Sequence, residues 1–189
     1  MIGRKRQRVL VAPATAGQAR DSGELAPFDA EARGEWWWRQ PKWSKRAWTL
    51  EVDGRPIAEL AGESMFSSLS RVRWAHAAFE VHRGWTGNAE LRDATGEARA
   101  RYRARWTGDG SIDAPNGDAL ELVATGFWKR RYVLRTADEL PLATFELQES
   151  FARQEARLVL EDGVRRRPDL AAVLALASAL VFAPKRHSS

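Results

Sequence analysis

The sequence predicts a closed, mainly antiparallel β-barrel that encloses an apolar α-helix near its C-terminus. Two observations predict it. Short segments alternating apolar and polar residues recur along the chain, with turn-forming residues between them, the pattern of a barrel or sandwich. Then Leu170 to Ala183 carries no charge and one polar residue, Ser178. A helix that is apolar all round must be buried on every side.

The chain has 189 residues, 44% hydrophobic and 29% charged. That suits one domain with a real core. There is no Cys, which excludes disulfides, thiolate metal sites, a Cys nucleophile and S-acylation. Residues 1–34 are polar and weakly patterned and read as an arm; Val9-Leu10-Val11 suggests one strand there. The basic stretch Arg4 to Arg8 precedes an apolar run that is too short for an export signal and is interrupted by Pro13. Together with the lack of Cys, this favours the cytoplasm; peripheral association with a membrane would follow from lipid binding.

From residue 35 the pattern changes, and a barrel domain is expected over 35–184, followed by a basic tail, 185–189. Trp48 to Val52 alternates and ends in Asp53-Gly54, a dipeptide suited to a tight hairpin turn. Arg55 to Leu60 runs back, with Pro56 at a strand start or edge because it has no N–H to donate. Ala77 to His82 is a strand stopped by Gly84. Ala89 to Arg92 leads into the turn Asp93 to Gly96. Arg99 to Trp106 places Ala100, Tyr102, Ala104 and Trp106 on one side, and Ala119 to Thr125 is expected to pair with it across a Gly/Asp-rich loop. Trp128 to Arg135, Leu142 to Gln148 and Ala156 to Glu161 complete the run.

A helix is expected over 168–183, with Pro168 in its first turn and Asp169 complementing its positive end. Three burials are open to it. A membrane span needs about 20 apolar residues, and this run has 14, roughly 21 Å. A helix laid on one sheet needs only one apolar face. A helix inside a barrel needs all faces apolar and a thin profile, which Ala171, Ala172, Ala175, Ala177 and Ala179 supply.

Gly54, Ile57, Ala58 and Leu60 in a Trp-led hairpin, with Pro168, Leu170 and the terminal apolar helix, resemble the tubby C-terminal-like superfamily, over about residues 36–184. That group includes the LURP-one-related proteins and the phospholipid scramblases. The resemblance implies a barrel of about twelve strands around a hydrophobic helix. In the tubby branch it implies phosphoinositide binding through a basic Lys-x-Arg pair, matched in residue type alone by Arg101-Tyr102-Arg103. The Cys-rich segment and proline-rich arm of the scramblases are missing, so scrambling is not implied. The chain looks closest to the LURP-one branch, for which no biochemical activity is agreed.

Candidate sites follow from charge and aromatic patterning. The net charge is +5, which favours anionic partners, although Arg and Ala richness also fits a coding bias. Arg99, Arg101, Arg103 and Arg105 recur at period two and share a strand face, about 6.6 Å apart. Lys129, Arg131 and Arg135 share another. Side by side, two such strands would make a basic wall able to hold phosphates; a solvated exterior with Glu121 or Glu146 as partners is the plainer reading. Nine Trp are present. Trp36, Trp37, Trp38, Trp43 and Trp48 interleave with Arg39, Lys42, Lys45 and Arg46, a pattern of core packing, membrane contact or base stacking. Three consecutive Trp cannot all face inwards, so Trp37 is expected outside, and Trp37 and Trp43 are the membrane-contact candidates.

Asp109 to Asp118 spaces oxygens like half a calcium loop, but Ala114 and Leu120 stand where the Gly and closing acid are needed, so it reads as a turn. His76 and His82 share a predicted strand face without zinc spacing. Ser64, Ser67, Ser68 and Ser70 lack a nucleophile-elbow context. No cofactor is implied and no group takes a catalytic role. The expected function is a non-enzymatic binding or scaffold module for anionic phospholipid head groups. A nucleic-acid binder and a purely structural, partner-binding protein are the alternatives.

Overall fold

The computed structural model describes residues 25–41, 46–62, 68–107, 109–125, 130–150 and 153–182. Twelve strands follow one another: β1 (Trp36–Arg39), β2 (Ala47–Val52), β3 (Arg55–Gly62), β4 (Leu69–Trp74), β5 (Ala78–Arg83), β6 (Ala89–Asp93), β7 (Ala98–Ala104), β8 (Gly110–Asp113), β9 (Ala119–Thr125), β10 (Arg131–Thr136), β11 (Pro141–Ser150) and β12 (Arg153–Leu160). Each pairs antiparallel with its chain neighbour, and β1 closes on β12. Closure removes the open strand edges that would otherwise template aggregation.

Alternation drives the wall. In β2, Trp48, Leu50 and Val52 are buried, and Thr49 and Glu51 lie outside them. Asp53 and Gly54 both adopt positive φ, 49° and 76°, the backbone a two-residue hairpin turn requires. Pro56 lies beside a register shift, where Leu50 faces Ala58 and Glu51 faces Pro56; the bulge accommodates its missing donor.

Helix α1 (Leu170–Val181) occupies the interior, with ten of its twelve residues buried. It lies nearest β3 to β7. At about 18 Å it is far shorter than a bilayer core of about 30 Å. Among the described residues no helix is long and apolar enough to cross a membrane. The barrel supplies the all-round cover that an apolar helix needs.

Several expectations are corrected. Pro168 precedes the helix by two positions instead of opening it, and the N-cap is Asp169. Asp169 makes no side-chain cap bond, because Arg167 takes both its oxygens, at 3.0 and 2.9 Å. The expected pairing of β7 with β9 is broken by β8, which lies between them. Residues 110–113 therefore form a strand, not a loop; Ile112 is fully buried in it. Strand β4 was not anticipated, though Val72 and Trp74 point inwards between outward Arg71 and Arg73. Trp106 lies beyond the end of β7 and is exposed instead of facing inwards. His76 sits in the β4–β5 turn, so it shares no strand face with His82. Val9 to Val11, Ser64, Ser67, Trp128 and the tail from residue 185 lie outside the described residues.

The barrel has two different ends. At one end α1 starts. Residues 25–35 pass here, with the Phe28 ring edge-on to Trp74 (4.7 Å) and Trp36 (6.0 Å). The Arg165 guanidinium donates to the carbonyls of Ala30, Ala32 and Leu160 and closes this end. Arg167 adds an ion pair to Asp118 at 2.7 Å. Burial opposes the charge on Arg167, but Asp169 and Asp118 outweigh it and raise its pKa. At the other end α1 finishes, where Phe182 stacks on Trp48 and meets Trp38 edge-on.

Candidate functional site

The outer wall is a belt of cross-strand ion pairs. Arg39 of β1 reaches Glu51 of β2 (3.0 Å), Arg73 of β4 reaches Glu59 of β3 (2.9 Å), and Arg71 of β4 reaches Glu80 of β5 (3.1 Å). An exposed pair such as Arg73–Glu59 contributes about 0.2–1 kcal/mol. The greater effect is on register, because a one-residue slip would turn these charges into the core.

The predicted arginine ladder belongs to this belt. Arg99, Arg101 and Arg103 stand on the outer face of β7, with Arg105 just past its end, and all four are exposed. Arg99 contacts Asp93 (2.6 Å) and Glu97 (3.0 Å), and Arg105 contacts Glu121 (2.8 Å), which Arg135 also contacts (2.8 Å). Arg101 reaches Glu90 through Nε (3.2 Å), and Arg103 reaches Asp113 (2.8 Å). The carboxylates respond. Glu90 is held below the usual range, chiefly by a hydrogen bond from Arg92 and then by Arg101. Glu121 is lowered by Arg135 and then Arg105. Asp93 is driven far down by the Thr95 hydroxyl and Arg99, and Arg99 is raised in return by Asp93.

The two basic strands are not side by side. Arg131 is on β10, three strand spacings from β7, about 14 Å, with Asp113 of β8 and Glu121 of β9 between them. Lys129 lies outside the described residues. The structure therefore brings Arg99, Arg101, Arg103 and Arg105 together but does not join them to Arg131.

What stands out on this wall is an open recess of about 330 Å³ lined by His82, Gly84, Asn88, Glu90, Arg101 and Arg103, among others. Arg101 and Arg103 are the most exposed members of the ladder that have an ion partner, at 63% and 69%. His82 Nε2 is 3.3 Å from Glu80. Beneath them Tyr102 points inwards, and burial raises its phenol pKa. Its ring passes so close to Gly110 that a Cβ there would collide with it. A second groove, about 470 Å³, lies on β3 to β6 over Val72 and Phe79, flanked by the Arg71–Glu80 and Arg73–Glu59 pairs.

The recess adjoins the rim where the β5–β6 and β7–β8 connections meet. Asn88 Oδ1 accepts from the Ala104 N–H at 2.9 Å. Trp85 and Trp106 project from these two connections and are 93% and 104% exposed. Sequence reasoning missed both. Trp37, the expected contact, is half-buried on the outer face of β1. Its indole donates to Glu35 (3.4 Å), and the Arg39 guanidinium lies 5.7 Å from its ring centroid. Trp36 and Trp38 face inwards; Trp43 lies outside the described residues.

Fold and surface define a class: a twelve-stranded closed barrel around a C-terminal helix, with a guanidinium-lined recess beneath an aromatic rim. No family model matches the chain, and neither the curated proteins nor the solved structures include a match. Among the described residues no group of three or more His, Asp or Glu side chains is arranged to hold a metal ion.

Proposed function

We propose that this protein is a non-enzymatic binding module that recognises anionic phospholipid head groups at a membrane surface, as a cytoplasmic, peripherally associated protein. One observation carries the reading: Arg101 and Arg103 flank an open recess directly below an end of the barrel that exposes two Trp side chains. Each guanidinium has one carboxylate partner among the described residues and keeps most of its surface in water. A phosphate oxygen can add to such a pair as a charge-assisted acceptor. The twelve strands around a C-terminal helix are also what the resemblance to tubby C-terminal-like proteins implies, and Arg101 and Arg103 are the residues that match the basic pair of that group in type.

Vesicles of phosphatidylcholine with and without phosphatidylserine test this. Wild type is expected to bind the anionic vesicles, and less so as salt rises. Two arginines near an anionic surface contribute up to about 2 kcal/mol, less the cost of loosening Glu90 and Asp113. The Arg101→Ala/Arg103→Ala variant is therefore expected to bind about tenfold more weakly. Equal binding by wild type and variant removes the recess from the account. Absence of wild-type binding, with tight binding to a single-stranded oligonucleotide instead, replaces the lipid reading with a nucleic-acid one.

A further inference from the structure

We infer that the rim built by the β5–β6 and β7–β8 connections enters the bilayer interface, with Trp85 and Trp106 as its anchors and the acidic end of the barrel facing away. This rests on the lipid reading above and adds to it an orientation and an inserted element.

Exposure is the first ground. Three large apolar side chains stand exposed among the described residues, and two of them share this rim; the third, Leu140, is alone at the opposite end. Indole is amphipathic, and the membrane–water boundary satisfies both its apolar body and its N–H.

The second ground is that backbone and polar groups shape both connections. In the β5–β6 connection the Gly84 N–H donates to Asn88 O (2.8 Å) and the Gly87 N–H to Gly84 O (3.2 Å). Gly87 supplies the positive φ, 84°. In the β7–β8 connection the Arg105 N–H donates to Asp109 O (2.7 Å), and Asp109 Oδ1 accepts from the Ala124 N–H (2.9 Å). Glycines, Asn88 and Asp109 thus build both tips. The backbone groups they satisfy carry less desolvation cost when a tip leaves bulk water.

Charge complementarity is the third ground, and it selects an anionic lipid surface as the occupant. Arg105 and Arg130 stand exposed at this end, and Asp109 there accepts from the Ala124 N–H. The turns of the opposite end carry Asp53, Glu97, Asp118, Asp138 and Glu139. The recess shares Gly84 and Asn88 with the rim, so one pose sets the indoles in the interface and offers Arg101 and Arg103 to head-group phosphates.

Co-sedimentation with vesicles of 70% phosphatidylcholine and 30% phosphatidylserine, run beside tryptophan quenching by lipids brominated near the head group, tests it on three full-length proteins. The Trp85→Ser/Trp106→Ser variant is expected to bind at least about tenfold more weakly than wild type and to lose most of the lipid-dependent quenching. The Arg101→Ala/Arg103→Ala variant is expected to bind more weakly but to keep that quenching in its bound fraction. If the Trp variant binds and is quenched like wild type, rim insertion is wrong and the head-group reading stands. If the Arg variant binds like wild type while the Trp variant does not, the rim stands and the recess falls. If wild type binds no vesicle, both fall.

Discussion

The two ends of this barrel are finished in opposite ways. Where α1 begins, the chain covers itself: residues 25–35 pass over the opening, Phe28 fills the space beside Trp36 and Trp74, and Arg165 ties that segment to the wall. Where α1 ends, the strand connections carry Trp85 and Trp106 straight into solvent. Apolar side chains at the first end are used for closure; at the second, Phe182 packs on Trp48 and Trp38 inside the barrel while Trp85 and Trp106 stand exposed to solvent. The charged wall between them is largely committed to itself through its ion-pair belt. Function is therefore to be sought where large apolar side chains stand in solvent, at the rim, and in the recess beneath it.

Breaking the covered end should have the largest effect on stability. Arg165→Ala removes a mostly buried cation and leaves the carbonyls of Ala30, Ala32 and Leu160 without that donor. A loss of about 2–4 kcal/mol is expected, measured by urea unfolding, whereas the exposed neighbour Arg166→Ala should change little. A smaller effect of opposite sign is expected nearer the other end. Ser178 Oγ is buried in α1 and has no hydrogen-bond partner among the described residues. Ser178→Ala relieves that desolvation and should raise stability by about 1 kcal/mol. Smallest of all is the rim itself: Trp85→Ser/Trp106→Ser should shift stability by less than about 0.5 kcal/mol, even though it costs vesicle binding. A large loss of stability in that variant would mean the rim indoles are structural, and the contrast between the ends would fail.

Much of the fold was legible because both signals are periodic. Alternation in Trp48–Val52 or Phe79–Arg83 marks an inner face directly, and an uncharged run such as Leu170–Val181 demands enclosure whatever surrounds it. Strand β8 was hidden because Gly110 and Asp113 read as turn residues. Gly110 is in a strand for a packing reason: only a residue without Cβ admits the Tyr102 ring, a close approach no local pattern announces. The site was less legible. Period-two spacing put Arg99, Arg101, Arg103 and Arg105 on one face. It could not show that β8 and β9 insert Asp113 and Glu121 between them and Arg131, because that depends on strand order. Trp106 extends the alternation of β7 by one step, so periodicity assigned it inwards. The strand stops at Ala104 instead, where the Arg105 N–H turns to Asp109. The useful signal was one of connectivity: in an up-and-down barrel alternate connections share an end, and Trp85 and Trp106 fall in two connections of the same end.

The chain contains no Cys, so single labels can compare the ends directly. An environment-sensitive fluorophore is attached at Thr86→Cys, on the rim, or at Ala94→Cys, in the β6–β7 turn of the opposite end. Each protein is then mixed with phosphatidylserine-containing vesicles. A blue shift and brightening at Thr86→Cys, with none at Ala94→Cys, is the predicted result. A response at Ala94→Cys equal to or larger than that at Thr86→Cys would contradict the account.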